Sequence, residues 1–343
     1  MAAPATGDDP APAGGGDTMS IPTRRAVLAG AGLLATAGPA ALAQPAGFPD
    51  RPLRLVLPYA PGGVVDTVGR IIARGLGEEL RQPMVAENRP GAGGVIGTDA
   101  VAKAAADGTT LLLMDPAVVI NPSLQARVPY DPFRDLTPVS ILTSSPLVLV
   151  VAPGLPVRSV AELVAHGRAD RGSLSYASAG VGTTPHLAGE MFSLRSGIAA
   201  THVPYRGIAA AYADMMSGQV SYAFSSIAGA LPLIEDGRLR ALATTGEAPS
   251  PALPALPTML SAGVADFVVD LWLGLFLPAA TPAEVVQRLH AAVVAVLGRP
   301  EVVAALARVG AQPRGTTTAE ARAILRREHD AWRMVITQAG ITL

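Results

Sequence analysis

Leu53–Asp66 reads LRLVLPYAPGGVVD, an apolar run that ends in Pro-Gly-Gly and turns at once into a helical pattern. Leu53–Pro58 has the composition of a buried strand, and Val65, Val68, Ile72, Leu76 and Leu80 recur at the helical period over 64–80. A strand that turns directly into a helix aims the unpaired N–H groups of the first helical turn at the space beyond the strand end. Such a place binds an anion without a cation. Gly62 and Gly63 allow the backbone to approach closely, Tyr59 and Val64 flank the turn, and Asp66 falls in the first helical turn, where an acid complements the macrodipole and can cap Gly62 or Gly63.

A second turn of this kind stands in the other half of the chain, Ala177–Pro185 (ASAGVGTTP). Here Ser178, Thr183 and Thr184 add hydroxyls to the backbone donors around Gly180 and Gly182, Thr184 is the expected N-cap with Pro185 at the first helical position, and His186 lies within reach of a ligand. Two cradles, one per half, predict a cleft that closes on a small carboxylate. The Gly-rich run Asn88–Gly97 (NRPGAGGVIG) is not a dinucleotide fingerprint, because Ile96 takes the place of the third glycine and Pro90 breaks the entry. It is expected as a turn lining the cleft through Gly93. Arg206, after the extended run 202–204, is the charged candidate for the cleft, and Ser225 offers a further hydroxyl.

Around these turns, Leu- and β-branched-rich runs alternate with helical patterns as in α/β domains. The 343 residues suit two domains, with 50% hydrophobic but only 4% aromatic residues and therefore a core of Leu, Val and Ala. The expected division is 48–145 with 268–343 as one α/β domain and 146–267 as the other, after an export segment at 1–43. A hinge is expected near Ser144–Pro146 and the Pro-rich 249–267 stretch. Ser159–Glu162, Thr281–Glu284 and Thr317–Glu320 have the capping-box pattern that opens a helix.

At a net charge of −1 there is no basic excess to draw nucleic acid or an anionic membrane. With no cysteine, disulfides, thiolate metal sites, a catalytic thiol and a lipid anchor on an N-terminal Cys are all excluded. Five histidines without ligand spacing give no metal site, and no cofactor motif occurs. Arg24-Arg25 before the apolar stretch 26–42, followed by Ala41-Leu42-Ala43, reads as a cleaved export signal of the twin-arginine type, which places the mature chain in the periplasm. Met1 or Met19 fits as the start.

In these stretches the chain resembles the Bug/TctC-like solute-binding receptors of tripartite tricarboxylate transporters. The similarity runs from about Phe48 to Ile341 and is carried by YAPGGVVD (59–66), ENRPGAGGVIG (87–97), SYASAGVGTTPHLAGEMF (175–192), HVPYRG (202–207), LPALPT (253–258) and WLGLFLPAATP (272–282). The resemblance implies a type II periplasmic-binding-protein fold, two α/β domains with a central ligand cleft and hinge. It also implies capture of a small organic carboxylate for the membrane subunits of the transporter; the chain is read as a monomeric, non-enzymatic receptor, with a ligand sensor that reports to a sensor protein as a rival. In that family the carboxylate is held largely by backbone N–H groups and waters, roles that map here onto Tyr59, Gly62, Gly63 and Val64 in one domain and Gly182, Thr183 and Thr184 in the other. The chain departs from the family at Val64 and Val65, where a small polar residue is common, at Leu260-Ser261, and in Ser221–Ser226, which lacks an acid. These changes favour an apolar or aromatic monocarboxylate over citrate. The rival from another class is an exported hydrolase using Ser178 with His186.

Overall fold

The structure, a computed structural model, describes residues 47–342. The export signal and the two candidate start sites lie outside the described residues. From Phe48 the chain forms one compact unit with two lobes.

The first lobe opens with β1 (Leu53–Leu57), α1 (Val64–Leu80), β2 (Met84–Asn88), α2 (Val95–Ala102), β3 (Thr110–Met114), α3 (Ala117–Leu124) and β4 (Leu136–Ser144). The second holds β5 (Leu147–Val151), α4 (Val160–Ala169), β6 (Leu174–Ser178), α5 (Thr184–Ser196), β7 (Ala200–Pro204), α6 (Tyr212–Met216), β8 (Tyr222–Ser226), α7 (Ile227–Glu235) and β9 (Arg240–Thr244). The chain then returns through β10 (Leu273–Pro278), α8 (Ala283–Leu297), α9 (Pro300–Ala307), β11 (Gln312–Pro313) and α10 (Thr318–Ala339).

The sheets have the orders β11-β4-β10-β3-β1-β2 and β7-β6-β8-β5-β9. Each contains the same parallel triplet, β2-β1-β3 or β7-β6-β8, flanked by one antiparallel strand, β10 or β5. Helices cover both faces, so strands such as β3 and β5 are buried throughout and read as unbroken apolar runs. In each triplet the chain leaves the middle strand toward one neighbour and later returns on the other side. Ligands of open α/β sheets bind beyond the strand ends at such a switch point. The turns after β1 and β6 therefore hold equivalent places in the two lobes.

The chain crosses between lobes at 144–146 and again near 270, and the crossings pair: Leu271 N–H donates to Ser145 O (3.1 Å), while Asp270 accepts from Ser144 Oγ and Ser145 N–H (both 2.6 Å). The Pro-rich stretch, expected at the hinge, instead packs Leu253 and Leu256 on the second-lobe core beside β9. Helix α10 serves both lobes. Its Ile324 and Leu325 pack with Trp272 and Phe276, whereas Trp332, Val335 and Ile336 join Phe192 and Tyr222 in the second core. The end of α10 thus departs from the expected assignment of all of 268–343 to the first domain.

Helix starts test the capping signals directly. Ser159 Oγ accepts from Glu162 N–H, and Thr317 with Glu320 forms the reciprocal box. Thr281 does not cap α8; its hydroxyl turns back to Pro278 O (2.7 Å), and Pro282 takes the N-cap position. Helix α5 begins one residue earlier than expected, with Thr183 as N-cap. Helices α3 and α7, which sequence reading passes over, contain Pro122 and Pro232. Each proline is the sixth residue of its helix, past the first turn where proline is tolerated, so these helices form without the hydrogen bond that position would otherwise donate.

Candidate functional site

The C-terminal ends of both parallel triplets face one cavity of about 880 Å³. Its wall takes Tyr59 and Val64 from the turn after β1, and Val181, Gly182, Thr183 and Thr184 from the turn after β6. Asp115 and Ser226, just after β3 and at the end of β8, lie on the wall as well. A volume of this size suits a small metabolite.

In the first turn Gly62 has φ 91°, a left-handed conformation that glycine adopts without strain, and Gly63 is the N-cap of α1. Gly62 N–H donates to Asp66 Oδ2 at 3.0 Å, so Asp66 is the cap of this loop. The same carboxylate accepts from Arg70 (2.9 and 3.1 Å) and from Asn88 Nδ2 (2.9 Å), and Asn88 also donates to Tyr59 O (3.0 Å). The Arg70 guanidinium and the Gly62 amide together hold the Asp66 carboxyl down to about 2. Asp66 is buried and lies off the cavity wall. The amides of Gly63, Val64 and Val65 have no hydrogen-bond partner among the described residues.

The second turn repeats the plan. Gly182 has φ 79°, and its N–H donates to His186 Nδ1 at 3.1 Å. That bond fixes the tautomer with the proton on Nε2. His186 stacks on His202 at 4.0 Å between ring centroids, and His202 stacks on Tyr176 at 4.9 Å. Burial, with His202 behind it, pushes the His186 imidazole down to about 4, so it is neutral at pH 7. Ser178 Oγ lies 2.6 Å from His202 Nε2 and accepts from Gly180 N–H (3.1 Å). The amides of Val181 and Thr184 have no partner among the described residues.

The structure thus brings Tyr59, Val64, Gly93, Gly182, Thr183 and Thr184 together on the cavity wall. Gly62 and Gly63 stand behind it as the turn that aims the Val64 amide. Ser178 and His186 are buried supports of the second turn, and their side chains engage His202 and the Gly182 amide, so the Ser178–His186 pair that the rival hydrolase reading needs does not form. Ser225 is also buried, bonded to Tyr212 Oη at 2.6 Å, and the hydroxyl on the wall is that of its neighbour Ser226. Arg206 is exposed and off the wall.

The charged side chains on the wall are two that sequence reading passed over, Asp115 and Arg127. Asp115 follows β3, and its Oδ1 accepts from Tyr59 Oη and from Ala117 N–H, both at 2.9 Å. Burial raises its carboxyl above the ordinary range and, with Asp115 beside it, raises the Tyr59 phenol well above its own. Arg127 is exposed at the cavity with no ion pair among the described residues. Gly93 is held in place through its carbonyl, which accepts from Asn121 Nδ2 at 2.9 Å.

Residues 68–341 match the model of the tripartite tricarboxylate transporter family receptor, TctC. The chain belongs to this family. BugT of Bordetella pertussis is 38% identical over 312 residues, covering 90% of this chain and 96% of that protein. Among solved structures, R. palustris Rpa4515 with adipate is 35% identical with a TM-score of 0.72, covering 87% of this chain and all of that one. MatC (Rpa3494) from Rhodopseudomonas palustris with bound malate is 31% identical with a TM-score of 0.67, over 84% of this chain and 100% of that one. The two-lobed α/β architecture of this TctC receptor is therefore that of periplasmic solute-binding proteins.

The Val64 departure has a structural consequence in this TctC protein. Val64 and Val181 are among its more exposed large apolar side chains, 44% and 43% accessible, and both lie on the cavity wall from opposite lobes. Ile120, Leu124 and Leu147, themselves buried, also line the cavity.

Proposed function

We propose that the protein is a periplasmic solute-binding receptor that captures a small organic carboxylate between its lobes and presents it to the membrane subunits of a tripartite tricarboxylate-type transporter. The observation that carries this reading is the pair of helix starts, α1 and α5, that open on one cavity from opposite lobes with amides at Val64, Val181 and Thr184 that have no partner among the described residues. Charge-assisted bonds from such amides orient a carboxylate and release it again, which suits a carrier. The exposed valines favour a solute with an apolar body. Adipate and malate in the solved relatives are carboxylates of suitable size. Closure of the lobes about the paired crossings near 145 and 270 gives the form that a partner reads, and the solute shifts the population by its preference for that form.

The test deletes single amides. Val64 and Thr184 are the first residues of their helices, where proline is favoured, and the residues before them are extended (Gly63 ψ 174°, Thr183 ψ 156°), as proline requires. Val64→Pro and Thr184→Pro should each weaken carboxylate binding about 10- to 100-fold in calorimetric titration. Thr184→Val, which keeps the amide, should retain most of the affinity, and unfolding midpoints should move little. Unchanged affinity in both proline variants would reject the cradle reading.

A further inference from the structure

Asp115 carries more charge than its structural task needs. It sits where β3 meets α3, and its Oδ1 alone accepts both the Ala117 amide and the Tyr59 hydroxyl. The equivalent junction of the second lobe, between β8 and α7, is made by Ser226, whose neutral hydroxyl accepts from Gly229 N–H at 3.3 Å. A hydroxyl is therefore enough to start such a helix in this protein. Yet Asp115 places a carboxylate on the wall, with no ion-pair partner among the described residues. Its second oxygen, Oδ2, has no hydrogen-bond partner among them either.

Two donors converging on Oδ1 oppose the burial that raises this carboxyl, and in the ionised form Oδ2 is a pure acceptor. When the lobes close and water leaves, that acceptor is costly unless the solute supplies a donor. The second-lobe cradle presents only amides and hydroxyls and takes the anionic end. Resting on the receptor reading above, we propose that Asp115 is a specificity-determining residue and that the solute is a carboxylate bearing a hydrogen-bond donor, a hydroxyl or an ammonium group, which bonds to Asp115 Oδ2. A site built around such a bond rejects analogues lacking the donor far more strongly than a hydrophobic pocket rejects a missing methylene.

Calorimetric titration with two matched series tests this: succinate, malate and aspartate, and 4-methylpentanoate, 2-hydroxy-4-methylpentanoate and leucine. Within each series only the group at C2 changes. In the unmodified protein a substituted member should bind about 100-fold or more tighter than its unsubstituted parent. Whether the hydroxy or the amino member leads identifies the donor. Asp115→Asn keeps an acceptor for Tyr59 and Ala117 but turns an N–H₂ toward the solute. It should cost the substituted members at least about 10-fold and leave the parents unchanged or stronger. Parents that bind as tightly as their substituted partners overturn the proposal while leaving the receptor reading intact, as does an equal loss for both in Asp115→Asn. Failure of all six to bind overturns both.

Discussion

The two cradles share a backbone plan and differ in the group that completes it. In each, the amide of the glycine just before the N-cap donates to the side chain of the third helical residue, four positions on: Gly62 to Asp66 at 3.0 Å, Gly182 to His186 at 3.1 Å. The turn thus needs an acceptor at that point and not a charge. The first lobe uses a carboxylate and must then balance it with Arg70 and Asn88; the second uses a neutral imidazole and buries it in a stack with His202. The charge of Asp66 lies behind a helix start whose dipole favours a negative charge, so its compensation shapes the local field. His186 imposes no such demand. Of the two cradles, the second therefore has the simpler field for a carboxylate.

The largest separation between the lobes should come with acid. A buried histidine depressed to about 4 is protonated in the folded state only below that pH, while in the unfolded chain it takes its proton near 6.5. Between those values the unfolded state holds more protons, so stability falls as pH falls, by on the order of 3 kcal/mol when pH 4 is reached. Protonation of Nδ1 also turns it from acceptor to donor against the Gly182 amide. Denaturant unfolding at pH 7 and pH 4.5 should show this loss, and His186→Asn should show much less of it. Equal stability of the unmodified protein at the two pH values would break the account of the second cradle.

The first cradle should respond in a lower window and by a smaller amount. Asp66 is depressed from 3.8 to about 2, so its contribution is full above the unfolded value and is lost as pH falls through about 2. Asp66→Asn keeps an oxygen for Gly62 but removes the charge that Arg70 meets. It should cost roughly 2 kcal/mol at pH 7 by denaturant unfolding, with no change in the histidine-dependent loss at pH 4.5. If Asp66→Asn altered the acid loss instead, the two caps would not be independent.

How far the sequence disclosed all this follows from the range of the interactions involved. Local signals carried well: α1 starts and ends where its apolar stripe does, Asp66 caps Gly62, Ser159 caps α4, and the Thr317 box forms. The Thr281 box fails because Pro278, three residues upstream, offers its carbonyl to the same hydroxyl. The longer-range facts were hidden. His202 is in a separate strand from Ser178 and His186, and only the parallel pairing of β6 with β7 sets Tyr176 opposite it. Asp115 carries no local signal in MDPAVV, since its place on the wall depends on the pairing of β3 with β1 and on Tyr59, 56 residues away. A Pro-rich stretch signals irregular backbone but not its lobe, which is why 249–257 was expected at the hinge.

The smallest expected effect tests whether the two backbones are as alike as their hydrogen bonds suggest. Gly62 and Gly182 are both left-handed, at φ 91° and 79°, while Gly63 is at φ −80°, a value open to any residue. A Cβ at Gly62 or Gly63 meets no atom within 4 Å, so at these two positions the substitution reads conformation and not crowding. Gly62→Ala should cost about 1–2 kcal/mol, the penalty of the left-handed region. Gly63→Ala should be near neutral or slightly stabilising, because it reduces the freedom of the unfolded chain. Gly182→Ala should match Gly62→Ala within about 0.5 kcal/mol. A clear excess at either position would mean that the cap in that lobe, carboxylate or imidazole, clamps its loop harder than its counterpart does.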